Sequence, residues 1–252
     1  LPWELTVEID TFLLQDDQFA IYGKQAEMLG EKARKVPDQA LRDLLEGYGD
    51  FAGAAQTSLD EVTHWNSAHP VDFWDAGKGT YCNDFGTAGV SVNGVTVGGT
   101  FSTAAYSTVW EEMSTRKDES GEVDAVIADL LMVPPQLHFS AKQITQGQLF
   151  AGPAIGGLSG QVGAVDNPYK GSTDLLMNPY LARQPATWYM MQAGGVVKPV
   201  AWILHTAPQM VQRSAATDPI VFDRHAMLWG GWLRAVPAWG PPRMSSRSGI
   251  VT

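Results

Sequence analysis

The chain has one cysteine, Cys82, in 252 residues, so no disulfide can form within it. It also lacks an Asn-x-Ser/Thr sequon: Asn66, Asn83, Asn93, Asn167 and Asn178 are followed by proline or lack the third-position hydroxyl. Neither feature supports a secreted, cross-braced protein. No apolar run is long enough to cross a bilayer. The start, Leu1-Pro2-Trp3-Glu4, carries no Met and no signal-peptide layout, and the expectation is a chain that begins partway through a longer product. Charge is scarce: 17% of residues are charged against 44% hydrophobic, the balance of a globular chain with few surface charges. Basic clusters are missing, and the net charge is −10. That excludes a nucleic-acid binder working through basic patches, because phosphate contacts need clustered Lys or Arg. It does not exclude a container for nucleic acid. A wall that holds a polyanion without adsorbing it gains from being acidic.

Chemistry-bearing constellations are equally thin. His64, His69 and Cys82, with Asp72 or Asp75, match no zinc spacing and sit in a loop-rich stretch. His69 before Pro70 reads as a turn residue, and Asp72 and Asp75 as loop caps. The Gly-rich run 156–163 lacks the Lys-Ser/Thr of a P-loop and the Gly spacing of a dinucleotide turn. Ser159 is not in a nucleophile elbow. Asp118 and Glu119 adjoin Arg116 and Lys117, which reads as a solvated mixed-charge turn. Acid–base carboxylates need a dry cleft that separates their pKa values. The expectation is no catalytic, cofactor or metal residue, and no enzyme.

What the chain has is a clear order of elements. Leu5, Val7 and Ile9 alternate with Thr6, Glu8 and Asp10, a period-two strand. Over 18–35, Phe19, Tyr22, Ala26, Leu29 and Ala33 recur at helical steps, with Asp16 and Asp17 placed to cap. Late Lys32, Arg34 and Lys35 suit the helix dipole. Pro37 interrupts, yet Ala40, Leu41, Leu44 and Leu45 resume the spacing. The pattern predicts one long kinked helix over 18–47, or two nearly collinear ones. Residues 53–99 read as loop and hairpin, with Asn93-Gly94 as a two-residue turn. Ser102 or Thr103 caps a helix bearing Tyr106, Val109, Trp110 and Met113. Residues 126–133 read as a buried strand, 136–149 as a helix, and 152–163 as a mobile Gly-rich loop.

Residues 167–209 read as three short strands separated by Pro, Gly and Asn. They are 175–177, 188–191 and 200–204, the last closed by Pro208. A long extended segment over 221–236 follows, with Gly230-Gly231 predicting a bulge or bend. Trp188, Trp202, Trp229, Trp232 and Trp239 fall on these strands. Each suits a core position, and each also suits an interface hot spot. The mixture of helices and non-consecutive strands is α+β, and there is no internal repeat.

The order of the pieces resembles the major capsid proteins of Mu-like tailed phages. The features are Tyr22-Gly23 opening a long helix through Lys35-Val36-Pro37-Asp38, then His69-Pro70, then an apolar run 130–133 ending in Pro134-Pro135 before a helix. Asn167-Pro168-Tyr169-Lys170-Gly171, Trp188-Tyr189, Lys198-Pro199 and a long C-terminal strand complete the series. The end, 241–246, is less apolar than the family's usual aromatic finish. The resemblance implies the Hong Kong 97 capsid fold, with a peripheral domain on a long spine helix and an axial domain. On that basis 1–99 is expected to be peripheral, with the spine helix and the end of the extended loop. Residues 100–207 are expected to be axial, and 208–252 to form a C-terminal strand returning to the peripheral domain. Most of the family's extended loop is expected to be missing ahead of the helix.

The implied function is a structural protein that self-assembles into hexamers and pentamers of an icosahedral phage head enclosing double-stranded DNA without specific binding. Inter-subunit contacts are expected from Trp188, Trp202, Trp229, Trp232, Gly156 and Gly157. No cofactor and no membrane are expected. Portal and decoration or scaffolding proteins are the expected partners, the virion the destination, and the host bacterial cytoplasm the place of assembly. The rival readings are another self-assembling virion protein, a tail tube or decoration protein, and a hydrolase-like enzyme with an unrecognised site. Tail tubes are sheet-dominated, so the long helix argues against that rival.

Overall fold

In chain order the elements are β1 (Pro2–Asp10), α1 (Thr11–Gln15), α2 (Ile21–Glu46), β2 (His69–Pro70), β3 (Thr80–Tyr81), β4 (Asp84–Phe85), β5 (Ser91–Val92) and β6 (Val95–Thr96). Then come α3 (Thr103–Ser114), β7 (Leu130–Val133), α4 (His138–Gln146), β8 (Leu149–Ala154), β9 (Val162–Asp166), β10 (Asp174–Met177) and β11 (Trp188–Met191). The chain ends with β12 (Val200–Arg213), α5 (Pro219–Arg224), β13 (Ala226–Trp239) and β14 (Ser245–Ser248). This computed structural model describes the chain except residues 18–19, 53–55, 87–90, 93–94, 97–100, 155–161, 216 and 250–252. Side chains are described except also at 23, 26, 91–92, 95–96, 150–154 and 162–164. The Asn93-Gly94 turn, the start of the long helical pattern at 18–19 and most of the Gly-rich 152–163 loop lie outside the described residues. Two compact units form: Leu1–Leu45 with Ala201–Ala238, and Glu46–Val200 with Trp239–Thr252.

The first unit is a helix on a three-stranded sheet of order β1-β13-β12. Helix α2 runs unbroken for 26 residues with Pro37 inside it. Of the two readings offered by the sequence, one continuous helix is what forms. A mid-helix proline loses one backbone hydrogen bond, and burial on both sides of it holds the helix together. Leu29 lies before Pro37, and Ala40, Leu44 and Leu45 lie after it, all at 2% exposure or less. Asp17 Oδ2 accepts from the Tyr22 amide at 2.8 Å, supplying the cap expected of the Asp16-Asp17 pair.

Two strand expectations change here. Residues 221–224 belong to a helix, α5, because Asp218 caps it by accepting from the Ile220 amide at 3.1 Å. Pro219 at the first helical position has φ already set for a helix. The strand after it, β13, passes through Gly230 and Gly231 without a bulge: Gly230 pairs with Thr6 and Gly231 with Leu5 in unbroken register. The reason for glycine at 231 is room. A Cβ there would sit 3.0 Å from Met210 Sδ and 3.5 Å from Leu29 Cδ2, so the bare backbone lets α2 approach the sheet. Nor does Pro208 end its strand, since β12 continues to Arg213. β12 is an edge strand, where half of the backbone groups point away from the sheet and a missing N–H is tolerated.

The second unit is a five-stranded mixed sheet of order β10-β7-β11-β14-β4. β10 and β7 are parallel, β7–β11 and β11–β14 antiparallel, and β14–β4 parallel. The core joins Leu131, Val133, Trp188 and Met190 of the sheet to Tyr106, Val109 and Met113 of α3 and Ala141 and Ile144 of α4. All four residues of β11 are buried, which explains a sequence with no polar alternation. Ser102 caps α3 by accepting from the Ala105 amide at 3.2 Å. Only Leu130–Val133 of the expected 126–133 strand is paired as a strand, although Val126 and Ala128 are buried.

Helix α4 stops at Gln146, short of the expected 149, because Asn167 ends it. The Asn167 amide donates to the Ile144 and Gly147 carbonyls at 2.7 and 2.8 Å, satisfying acceptors that a helix end leaves open. The Asn-Pro-Tyr-Lys-Gly motif is thus a helix stop, and Leu149 already begins the β8–β9 hairpin. Gly249, just past β14, has φ +105, and a Cβ there would run into the Ala186 carbonyl. Gly249→Ala is expected to cost about 1–3 kcal/mol through combined strain and overpacking. A urea titration checks this, and an unchanged midpoint would contradict it.

Candidate assembly surfaces

The second unit is braced by two polar networks, and these decide which residues remain free for contact. Arg116 follows α3, in a segment whose charge pattern predicts a solvated turn. Instead it is 2% exposed. Its Nη1 donates to the Arg243 and Ser245 carbonyls at 2.6 and 3.1 Å. Its Nη2 donates to the Cys82 carbonyl, Glu112 Oε2 and Ser246 Oγ at 2.7, 2.7 and 2.6 Å. Only a guanidinium fork reaches so many acceptors at once. It fastens β14 to α3 and to the loop before β4. Lys117 and Glu119 beside it are exposed, as expected.

His64 is fully buried and stacks on Trp239 at 3.5 Å between ring centroids, nearly parallel. Its Nδ1 pairs with Ser58 Oγ at 2.8 Å and its Nε2 with Ser245 Oγ at 2.9 Å. Burial, reinforced by His69, Arg247 and Arg116, pushes its pKa down to about 2. His69 is not a turn residue: it lies in β2, fully buried, with Nδ1 2.5 Å from Asp60 Oδ2 and Nε2 2.9 Å from the His64 carbonyl. The Cys82 thiol is pushed up to about 11, mainly by burial, which leaves little thiolate for nucleophilic or metal chemistry. Asp72 and Asp75 accept from the Trp74 and Gly77 amides at 2.9 Å each, the loop-capping work expected of them. Among the described residues no three His, Cys, Asp or Glu side chains cluster as a metal site, and no helix is long and apolar enough to cross a membrane.

The strand tryptophans divide by position. Trp188 has no exposed surface and meets Phe101 edge-on at 5.1 Å, so its ring serves the core of its own subunit. Trp202 and Trp229 are half-buried in the first unit's sheet. Trp232 is 43% exposed. Gly231 beside it faces Leu29 of α2, and Trp232 borders the groove between α2 and the sheet. Gly156 and Gly157 lie outside the described residues.

Large exposed apolar side chains that strand patterns did not flag stand elsewhere. Phe12 and Leu13 of α1 and Phe222 of α5 are exposed where the two helices meet: the Thr11 amide donates to the His225 carbonyl at 2.7 Å and the Phe12 and His225 rings lie 5.2 Å apart; Ile21 at the start of α2 is exposed as well. On the second unit Trp74 is 90% exposed beside Phe73, and Phe139 and Val196 are equally open. They sit at turns and helix ends, where no periodicity marks a side as outward. Between α2 and the first unit's sheet lies a groove of about 430 Å³, lined by Leu5, Leu29, Ala33, Val36, Met210 and Leu233, with Lys32, Lys35 and Glu4. Exposed apolar side chains that cluster, as Phe73 does with Trp74 at 4.9 Å between rings, mark contact surfaces. The arrangement suits a subunit that meets several neighbours.

Comparison with known proteins agrees. No curated protein matches the chain. Among solved structures, the capsid of bacteriophage JBD30 matches with a TM-score of 0.51 and 16% identity, over 72% of this chain and 75% of that one. The cyanophage P-SCSP1u capsid matches with a TM-score of 0.58 and 10% identity, over 99% and 72%. Mycobacterium phage Adephagia matches with a TM-score of 0.55 and 11% identity, over 100% and 72%. At these identities the likeness is one of fold. The family model described as phage capsid protein matches residues 3–243, nearly the whole length, so the chain belongs to the phage capsid protein family.

Proposed function

We propose that this is the major capsid protein of a tailed phage, Mu-like in its order of motifs and of the Hong Kong 97 type. Copies tile hexamers and pentamers of an icosahedral head around double-stranded DNA. The observation that carries the reading is the set of separate exposed apolar patches on a chain of this family. A closed shell repeats each weak contact many times, so modest patches sum to a stable whole. The unit built on α2 and the three-stranded sheet serves as the peripheral domain, and the five-stranded unit as the axial one. This proposal puts the changeover at 45/46, earlier than the 99/100 expected from sequence. Trp202, Trp229 and Trp232 are proposed inter-subunit contacts. Assembly in the bacterial cytoplasm, with portal and decoration or scaffolding proteins as partners, belongs to the same proposal.

Electron microscopy of the purified native assembly tests it. Closed icosahedral particles are expected, and open tubes or rings alone would overturn it. Duplex DNA should bind the free protein weakly and without sequence preference, because the chain carries −10 and its one close basic group, Lys32, Arg34 and Lys35, is small. A filter-binding titration at physiological salt that gave tight, sequence-specific binding would contradict the passive-wall reading.

A further inference from the structure

We propose that the apolar, acidic end of the first unit docks into the groove between α2 and the sheet of the neighbouring copy, a head-to-tail contact. This rests on the shell-forming function proposed above. The end is built from α1 and α5. Helix α1 has no buried residue, yet it carries Phe12 at 58% and Leu13 at 50% exposure; α5, which meets it at His225, carries Phe222 at 77%, and Ile21 at the start of α2 is 55% exposed. Exposing large apolar side chains on α1, on α5 and at the start of α2 costs solvation that a partner removes.

Charge points to where they go. Asp10 and Asp218 cap α1 and α5, Asp16 follows α1, Asp17 caps α2 and Asp223 lies in α5, against Arg213, Arg224 and Lys24 of the first turn of α2. Arg213 is already paired with Asp218 at 3.0 Å. The groove has the opposite balance, with Lys32 and Lys35 against Glu4. Its apolar lining of Leu5, Leu29, Ala33, Val36, Met210 and Leu233 suits aromatic and aliphatic knobs. At about 430 Å³ it falls within the ~300–1,000 Å³ of ordinary binding clefts, so it accepts more than one side chain. Opposite charge around matched apolar surfaces steers encounter and fixes register.

The two surfaces cannot satisfy each other within one copy. Ile21 and Val36 lie on the same helix, about 22 Å apart at 1.5 Å per residue. A contact between two different patches is heterologous and propagates from copy to copy, closing when the rotation permits. That is the connectivity a ring or shell needs.

Disulfide trapping tests the contact in the full chain carrying Cys82→Ser. One preparation carries Phe222→Cys, another Ala33→Cys, and the two are mixed and oxidised. The mixed 222–33 product is expected at least about tenfold above either same-site product. A predominance of 222–222 product, meaning end meets end, overturns the proposal, and so does absence of the mixed product. In a second arm, Lys32→Glu with Lys35→Glu should slow assembly by about tenfold or more, with helix content unchanged by circular dichroism. Adding Asp16→Lys and Asp223→Lys should restore it. Wild-type assembly of the Glu variant overturns the contact. Closed particles without the mixed product would sink this inference alone. Absence of any particle or copy-to-copy product would sink the shell function as well.

Discussion

Arg116→Ala is expected to destabilise the second unit by about 3–5 kcal/mol, the range for removing one partner of a buried charged network. The deletion strands Glu112, which shares two bonds with the guanidinium. It also leaves the Cys82, Arg243 and Ser245 carbonyls without that donor. Arg116→Lys keeps the charge but cannot span acceptors on three segments, so it should recover only part of the loss. Urea titration reads the stability. Hydrogen exchange reads the location, with β14 amides losing protection first. A midpoint within error of wild type would mean that the network contributes nothing net.

Acid should weaken the fold through His64. Its pKa in the folded chain is depressed from 6.5 to about 2. The unfolded chain therefore takes a proton below about pH 6.5, while the folded chain does not. Stability from this residue is complete above pH 6.5 and falls with pH down to about 2. The slope is about 1.4 kcal/mol per pH unit, so about 2 kcal/mol is lost by pH 5. In His64→Gln the stability–pH slope between 6.5 and 4.5 should be shallower by that amount, whatever the substitution costs at neutral pH. Parallel slopes for the two proteins would show that His64 accepts its proton inside the fold. Buffers used for assembly should stay above pH 6.5.

How much was legible depends on whether the signal was local. The period-two pattern of Leu5, Val7 and Ile9 became β1, and the helical spacing from Tyr22 to Leu45 became α2. Ser102 capped α3 as its position implied. Arg116 misled because its neighbours in sequence are charged and solvated, while its acceptors lie on α3, the loop before β4 and β14. His69 misled likewise: proline after it suggests a turn, whereas its partners Asp60 and the His64 carbonyl come from another loop. Gly230-Gly231 looked like a bulge because sequence shows only the missing side chains, not the helix that comes close at Gly231.

By itself the sequence determined the things that depend on near neighbours: the amphipathic stripe of α2, cap candidates at Asp16-Asp17 and at Ser102 or Thr103, the net acidic balance, and the absence of an intrachain disulfide. It also carried the order of motifs that points to the capsid family. Tertiary structure alone decided which aromatic faces outward. Trp188 and Trp232 are the same residue type on strands, yet one lies in the core with α3 and α4 and the other is 43% exposed. Burial is set by what packs across from a residue, and that comes from segments far away in the chain. The same holds for the groove beside α2, whose walls come from β1, α2, β12 and β13 and exist only once those four are assembled.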